Sequence, residues 1–499
     1  MEDPREASDL SDLPGRTLPP PGRRCGVYDT ALILGLTGLY ACWCHAPLIW
    51  DGAAQFSWTL LHQAPYAYGG WRGRFHSGLV WIPFVAASRV TSNTGILQMV
   101  FGLPFVLAPA IGLLLSWWVV RRHAPGLILW AVFGIAAAPL PGQIFIINDT
   151  LFQQHLFWPV FLGALGPITR GRRMVLILLA LLQLSQPIGL VLLVGAAGAA
   201  AILGLLDERI RRRQLIRAGL LAGLALLAWL KVWLQPDLQA SVEMTWLEVM
   251  KRWRVGVEGP PLTGLAFMWA AAGLVFARGF LKAPPERPLL SKVLATGPIA
   301  CALAGGAVWV AWASDERQWR LALDYRRWLV PLTFPFFLLA LWEAYLFSMR
   351  QAREEPGAGN GEEVLRLRVR MSRVLAGVYA AVLIIQCTLW LSMLRRLTDD
   401  VNASPAALVP KSAVAWVEGT ALDHWTLPSL VASMQGPRQE KMLLLDPAWE
   451  EALRQAEPRI PMSQWERWPV EPAPGGWFDF RPFLERYRRK NPPQARQPP

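Results

Sequence analysis

Charge is scarce in this chain. Only 17% of its 499 residues are Asp, Glu, Lys or Arg, against roughly 25% in an ordinary water-soluble domain. Hydrophobic residues make up 53%, with 26 Trp among them, so water is not the main solvent. Cysteine is short as well. Cys25, Cys42, Cys44, Cys301 and Cys387 fall mostly in or beside apolar runs and form no metal-ligand array, so neither a disulfide framework nor a zinc module follows. Cys42 and Cys44 read as small packing residues, with a redox role as the sharper alternative. P-loop, zinc-finger and RNP-like patterns are missing too. The net charge of +13 comes from Lys and Arg clusters between apolar runs rather than from one basic face, which argues against a nucleic-acid partner.

What the chain does have is apolar length. Runs of about twenty residues, enough to cross roughly 30 Å of hydrocarbon, occur at 28–49, 96–120, 126–147, 151–167, 174–187, 188–206, 218–234, 261–281, 293–313, 328–348 and 374–394. The fold class is therefore an all-α polytopic membrane protein of about eleven transmembrane helices. Two places need the basic residues to decide them. The apolar stretch 76–88 is short, and counting it as a span would put Arg121 and Arg122 outside, so it reads as interfacial or re-entrant. Residues 174–206 are flanked by Arg170, Arg172 and Arg173 on one side and by Arg209, Arg211, Arg212 and Arg213 on the other. Both ends then belong to one side, which calls for two short helices turning near Gln183, Ser185, Gln186 and Pro187, where proline interrupts the hydrogen-bond ladder.

The polar, proline-rich residues 1–27 carry Arg5, Arg16, Arg23 and Arg24 and read as a cytoplasmic tail before an uncleaved first span. Residues 28–394 form the helical domain, with a first outer loop at 50–95 holding interfacial helices. Residues 395–487 mix strand-like runs at 413–417 and 442–445 with a helix-like run from Pro447, predicting a small α/β appendage on the outer side. The tail 488–499 is composed like a disordered segment. Loop 351–363, with its Gly-rich run, resembles a linker. Lys231 and Arg278 lie near span ends, where long side chains snorkel to the interface. This topology and a bacterial inner (plasma) membrane are the expected location, with the N-terminus inside and the C-terminus outside.

Candidate chemistry gathers on the outer side. Asp51 directly follows the first span, where a carboxylate can act as a general base on a hydroxyl or orient a cation; equally, it can cap the helix that starts at Gly52. Arg72, Arg74 and His76 follow in the same loop. Guanidinium forks suit phosphate oxygens, although anchoring at lipid head groups uses the same residues. Asn148 and Asp149 form an outer turn before Gln153, Gln154 and His155, polar groups at membrane depth that must face a cavity or other helices. His155 is either a satisfied packing residue or a ligand-facing one. Late in the chain Asp324, Arg326 and Arg327 stand at the entrance to the span beginning near 328, where arginine can bind a phosphate or anchor the helix. Residues 235–260 read as an interfacial amphipathic helix rich in Trp.

An Asp just after the first span, a long first outer loop, about eleven spans, the basic entrance DYRRWLVPLTFP and an outer C-terminal appendage together resemble the multi-span C-type glycosyltransferases (GT-C). These take sugars from polyprenyl-phosphate carriers on the outer membrane face. The resemblance covers most of the chain as a layout. It implies that Asp51 activates an acceptor or helps bind donor or metal, and that the partners are membrane lipid, a polyprenyl-phosphate-linked sugar donor and an acceptor of unspecified kind. The first outer loop has no DxD or ExD pair, so a divalent cation (Mg or Mn) would need Asp149 as its second carboxylate. The competing expectations are a non-enzymatic transporter or flippase of lipid-linked saccharide and a scaffold subunit of an envelope-polysaccharide machine.

Overall fold

A computed structural model of the chain describes residues 25–48, 77–91, 93–137, 149–167, 170–185, 187–234, 329–352 and 360–403, together with Phe56, Thr59 and Pro139. Among the described residues the structure is almost entirely helical and contains no strand. Four helices are long and apolar enough to cross a membrane: Gly95–Val120, Pro187–Leu206, Arg211–Trp233 and Leu367–Ser392. The expected spans at 261–281 and 293–313, the α/β segment from residue 404 onward and Arg278 lie outside the described residues.

Helix α1 (Cys25–Trp43) ends earlier than its apolar run, because His45 adopts a left-handed backbone (φ 57°) and Pro47 follows in a 3-10 turn, Ala46–Leu48. The short helix α2 (Ser77–Val90, 14 residues) is about 21 Å long, less than a hydrocarbon core. It packs on α3 (Thr94–Val120) through a ring cluster in which Phe84 and Phe101 lie 5.3 Å apart. Asn93 caps α3 by accepting from the Ile96 N–H at 3.2 Å. Next come a 3-10 turn at Pro125–Leu127, α4 (Ile128–Val132) and a π turn at Phe133–Ala137.

Helix α5 (Asp149–Leu165) is the centre of the bundle, with every residue from Phe152 to Leu165 buried. It packs against α3, α6 (Arg170–Leu182) and α7 (Pro187–Leu206). The expected hairpin is present: α6 gives way to a 3-10 turn at Gln183–Ser185 and α7 starts on Pro187, a position where a missing N–H costs nothing. Helix α8 (Arg211–Trp233) packs along α7. Helix α9 (Leu329–Ala352) docks on α5 through Phe337, whose ring centroid is 4.4 Å from Phe161 and 4.8 Å from Trp158.

Helix α10 (Asn360–Ala403) has 44 residues, about 66 Å at 1.5 Å per residue. It starts inside the stretch read as a linker and runs on past residue 395, where the sequence becomes mixed. Only its middle is strongly apolar, so its ends extend beyond any bilayer core.

Close helix approach depends on small residues. A Cβ on Gly38 of α1 would overlap the Val106 carbonyl of α3, and one on Gly112 of α3 would overlap the His155 carbonyl of α5. Membrane helices associate without a hydrophobic drive between them, so such backbone contact is a main source of packing energy.

The two ends of the bundle differ. At one end arginines cap helix C-termini. Arg172 donates to the Val119 carbonyl at 2.8 Å, Arg217 to Gly166 at 2.6 Å and Arg209 to Ser348 at 3.4 Å. The basic clusters thus meet carbonyls at or near the C-terminal ends of α3, α5 and α9 and complement their dipoles. Also at this end Arg368 of α10 pairs with Glu343 of α9, whose other oxygen accepts from the Trp130 indole N–H at 2.6 Å.

Candidate functional site

The opposite end carries a collar of buried polar groups around α5. Gln153, Gln154 and His155 follow one another, and successive residues of a helix point about 100° apart. Each therefore meets a different neighbour. Gln153 donates to the Ser185 hydroxyl and to the Leu182 carbonyl (3.2 Å) at the α6–α7 turn. Gln154 donates to the Thr333 hydroxyl of α9 and to the Gly134 carbonyl (3.4 Å). That carbonyl lies in the π turn, and Pro139, five residues on, has no N–H to offer it. His155 faces α3, where Gly112 lets its backbone approach.

The collar is only half satisfied. The side-chain oxygens of Gln153, Gln154 and Gln183 and the Nδ1 of His155 are buried with no hydrogen-bond partner among the described residues. A buried polar atom left unpaired costs about 1–3 kcal/mol, so four of them are a standing penalty that a ligand rich in hydroxyls or ordered water would remove. Lys231 belongs to the same region. It donates its ammonium to the carbonyls of Leu184 (2.5 Å) and Ser185 (3.3 Å), closing the α6–α7 turn.

The chain leaving α1 is fixed at this end as well. His45 shares a hydrogen bond from Nδ1 with Gln98 of α3, and its carbonyl accepts from the Trp390 indole of α10 at 3.3 Å. Tyr40 and Thr388 hydroxyls meet at 2.8 Å nearby. A left-handed backbone at a non-glycine residue costs energy that these contacts must hold in place. Asp51 comes six residues after this anchored histidine.

Of the candidate site residues read from sequence, Gln153, Gln154, His155 and the first residue of α5, Asp149, fall within the structure. Asp51, Arg72, Arg74, His76, Asp324, Arg326 and Arg327 lie outside the described residues. No group of three or more metal-ligating side chains stands together among the described residues. Sequence reading missed Thr333, which bonds to Gln154 in the collar, the His45–Gln98 contact that anchors the chain leaving α1, and the Glu343–Arg368 pair. Glu343 had a readable signal, an acid in the middle of an apolar run. Thr333 and Gln98 had none, because a lone polar residue in a span says nothing about its partner.

No protein-family model, no curated protein and no solved structure matches the chain. The helices themselves define the class: a multi-pass, integral membrane helical protein.

Proposed function

We propose that this protein is a membrane glycosyltransferase that moves a sugar from a polyprenyl-phosphate donor to an acceptor at the collar end of the bundle, taken as the outer face. The observation that carries the reading is the half-satisfied row Gln153, Gln154 and His155 on an otherwise apolar central helix. Carboxamide oxygens and an imidazole nitrogen accept hydrogen bonds from sugar hydroxyls, and a water-poor setting makes each such bond count for more. The arginine-rich end is assigned to the cytoplasm by the positive-inside rule. Asp51, six residues beyond His45 in sequence, is the base or orienting carboxylate, and Arg72, Arg74 and Arg326 neutralise the departing phosphate. His76 and Arg327 add to that neutralisation, Asp324 holds the neighbouring arginine in place, and Asp149 is the second carboxylate if Mg or Mn takes part. The reaction is displacement at the anomeric carbon by an acceptor hydroxyl. Its proton goes to Asp51 and the bonding pair leaves with the lipid phosphate.

The transporter reading has one observation in its favour. His155 lies six residues, about 9 Å along the helix axis, inside the start of α5, deeper than a purely surface site requires. One assay separates the two. Proteoliposomes loaded with radiolabelled polyprenyl-phosphate sugars are followed for both sugar release to acceptor and movement of lipid-linked sugar between leaflets. Transfer that Asp51→Asn abolishes while expression stays normal supports the enzyme. Leaflet exchange without transfer, unaffected by Asp51→Asn, overturns it.

A further inference from the structure

The arginine-rich end holds more positive charge than its caps use. Arg172 is 3% exposed, stacks over the Trp118 ring at 5.4 Å and gives one donor, Nη1, to the Val119 carbonyl; no other hydrogen bond of its guanidinium occurs among the described residues. Arg121 and Arg122 follow that carbonyl in sequence after one intervening residue. The Arg121 Nε is buried with no hydrogen-bond partner among the described residues. No carboxylate pairs with Arg121, Arg122, Arg172 or Arg173 among them either, although acids neutralise arginines elsewhere at this end, as Asp207 does Arg209 and Glu343 does Arg368. Arg172 precedes the apolar run of α6, and its pKa is lowered by burial and then by the nearby charges of Arg122 and Arg121. An uncompensated cluster of this kind calls for an anion.

The surroundings indicate which anion. From Arg173 the exposed face of α6 continues as Met174, Ile177, Leu178 and Leu181, positions that share one helix face. On α3 the exposed Ile111 and Leu114 lead up to Arg121. Two apolar stripes therefore run away from the arginines at the end of α3 and the start of α6. That matches the build of a two-chain lipid with a charged phosphodiester: the exposed Arg122 and Arg173 are open to the phosphate oxygens, the buried Arg172 adds positive charge behind them, and the stripes take the acyl chains.

We infer that the α3–α6 corner is a binding site for an anionic phospholipid, with Arg121, Arg122 and Arg173 meeting its phosphate and the buried Arg172 adding positive charge behind them. The site is distinct from the collar, at the other end of the bundle, and does not depend on the glycosyltransferase reading. It would hold the α3–α6 corner to the inner leaflet.

Native mass spectrometry of the full-length protein in mild detergent tests it, with phosphatidylglycerol and phosphatidylcholine offered separately. The wild type should retain phosphatidylglycerol in clear preference. The R121Q/R122Q variant keeps the Arg172 cap and should weaken that retention roughly thirtyfold, from two lost interfacial arginines. Should the double variant lose its monodisperse peak, R122E at the exposed Arg122 carries the same comparison. Equal retention of the two lipids overturns the proposal, as does wild-type retention of phosphatidylglycerol by the folded variants. Displacement of the lipid by millimolar inorganic phosphate also overturns it, because recognition would then rest on a soluble anion.

Discussion

Arg368 of α10 and Glu343 of α9 form an ion pair that is nearly closed to solvent, with side chains 4% and 13% exposed. The Trp130 indole of α4 donates to the second carboxylate oxygen, and Gly126 lies so close that a Cβ there would overlap both Arg368 and Glu343. The pair thus joins three helices at the arginine-rich end. Removing one partner of such a buried pair strands the other charge and typically costs about 3–5 kcal/mol. Glu343→Gln should therefore lower the melting temperature in detergent sharply. The double change Glu343→Leu with Arg368→Met should recover most of the loss, because the desolvation cost goes with the charges. Equal melting temperatures for the single variant and the wild type would show that the pair is not closed in solution.

The pair between Asp29 of α1 and Arg373 of α10 is a useful contrast. It is also short, at 2.5 Å, but its side chains are 49% and 45% exposed. Solvent and salt screen a pair of this kind, and such pairs contribute roughly 0–1 kcal/mol. Asp29→Asn should leave the melting curve almost unchanged in the same detergent.

Glycines at helix crossings should be sensitive in proportion to what they face. Gly38 and Gly112 each face a backbone carbonyl, which cannot rotate away as a side chain can. Gly112→Ala should force α3 and α5 apart at His155 and cost about 1–3 kcal/mol, the usual range for overpacking. Gly198→Ala, with nothing within 4 Å of its Cβ position, should be neutral or stabilise α7 by up to about 1 kcal/mol. Parallel thermal melts check the pair, and similar losses at both positions would contradict the α3–α5 contact.

These cases show what could be read from the sequence. Apolar length and flanking arginines were enough to place the α6–α7 hairpin, because proline and charge asymmetry act locally. The 44-residue α10 was not legible as one helix. Its ends are polar, so hydropathy marks only the middle, and the Gly-rich run before Asn360 resembles a linker. The collar was half legible. Gln153, Gln154 and His155 advertise themselves by adjacency, but their partners Thr333 and Ser185 are ordinary residues until the fold brings them near. Glu343 and Arg368 are 25 residues apart on different helices, and pairing at that separation depends on packing that no periodicity encodes.

His155 is where stability and function should part. Its Nδ1 is buried and unpaired among the described residues, so the imidazole pays the desolvation cost of a polar atom without the return of a hydrogen bond. Leucine has a similar apolar body and no such atom. His155→Leu should therefore raise the melting temperature, or at least not lower it, whereas an ordinary core substitution would be expected to destabilise. If sugar hydroxyls complete the collar, the same variant should lose about tenfold or more in transfer, as expected where a site keeps polar groups at a cost to stability. Melting curves and transfer assays on one preparation of the variant measure both. A drop in stability would mean that Nδ1 is satisfied in the membrane, by water or by a neighbouring residue, and His155 would then be a packing residue like those around it. A rise in stability with unchanged transfer would separate the collar from catalysis and move attention to Asp51 and the arginines of the first outer loop.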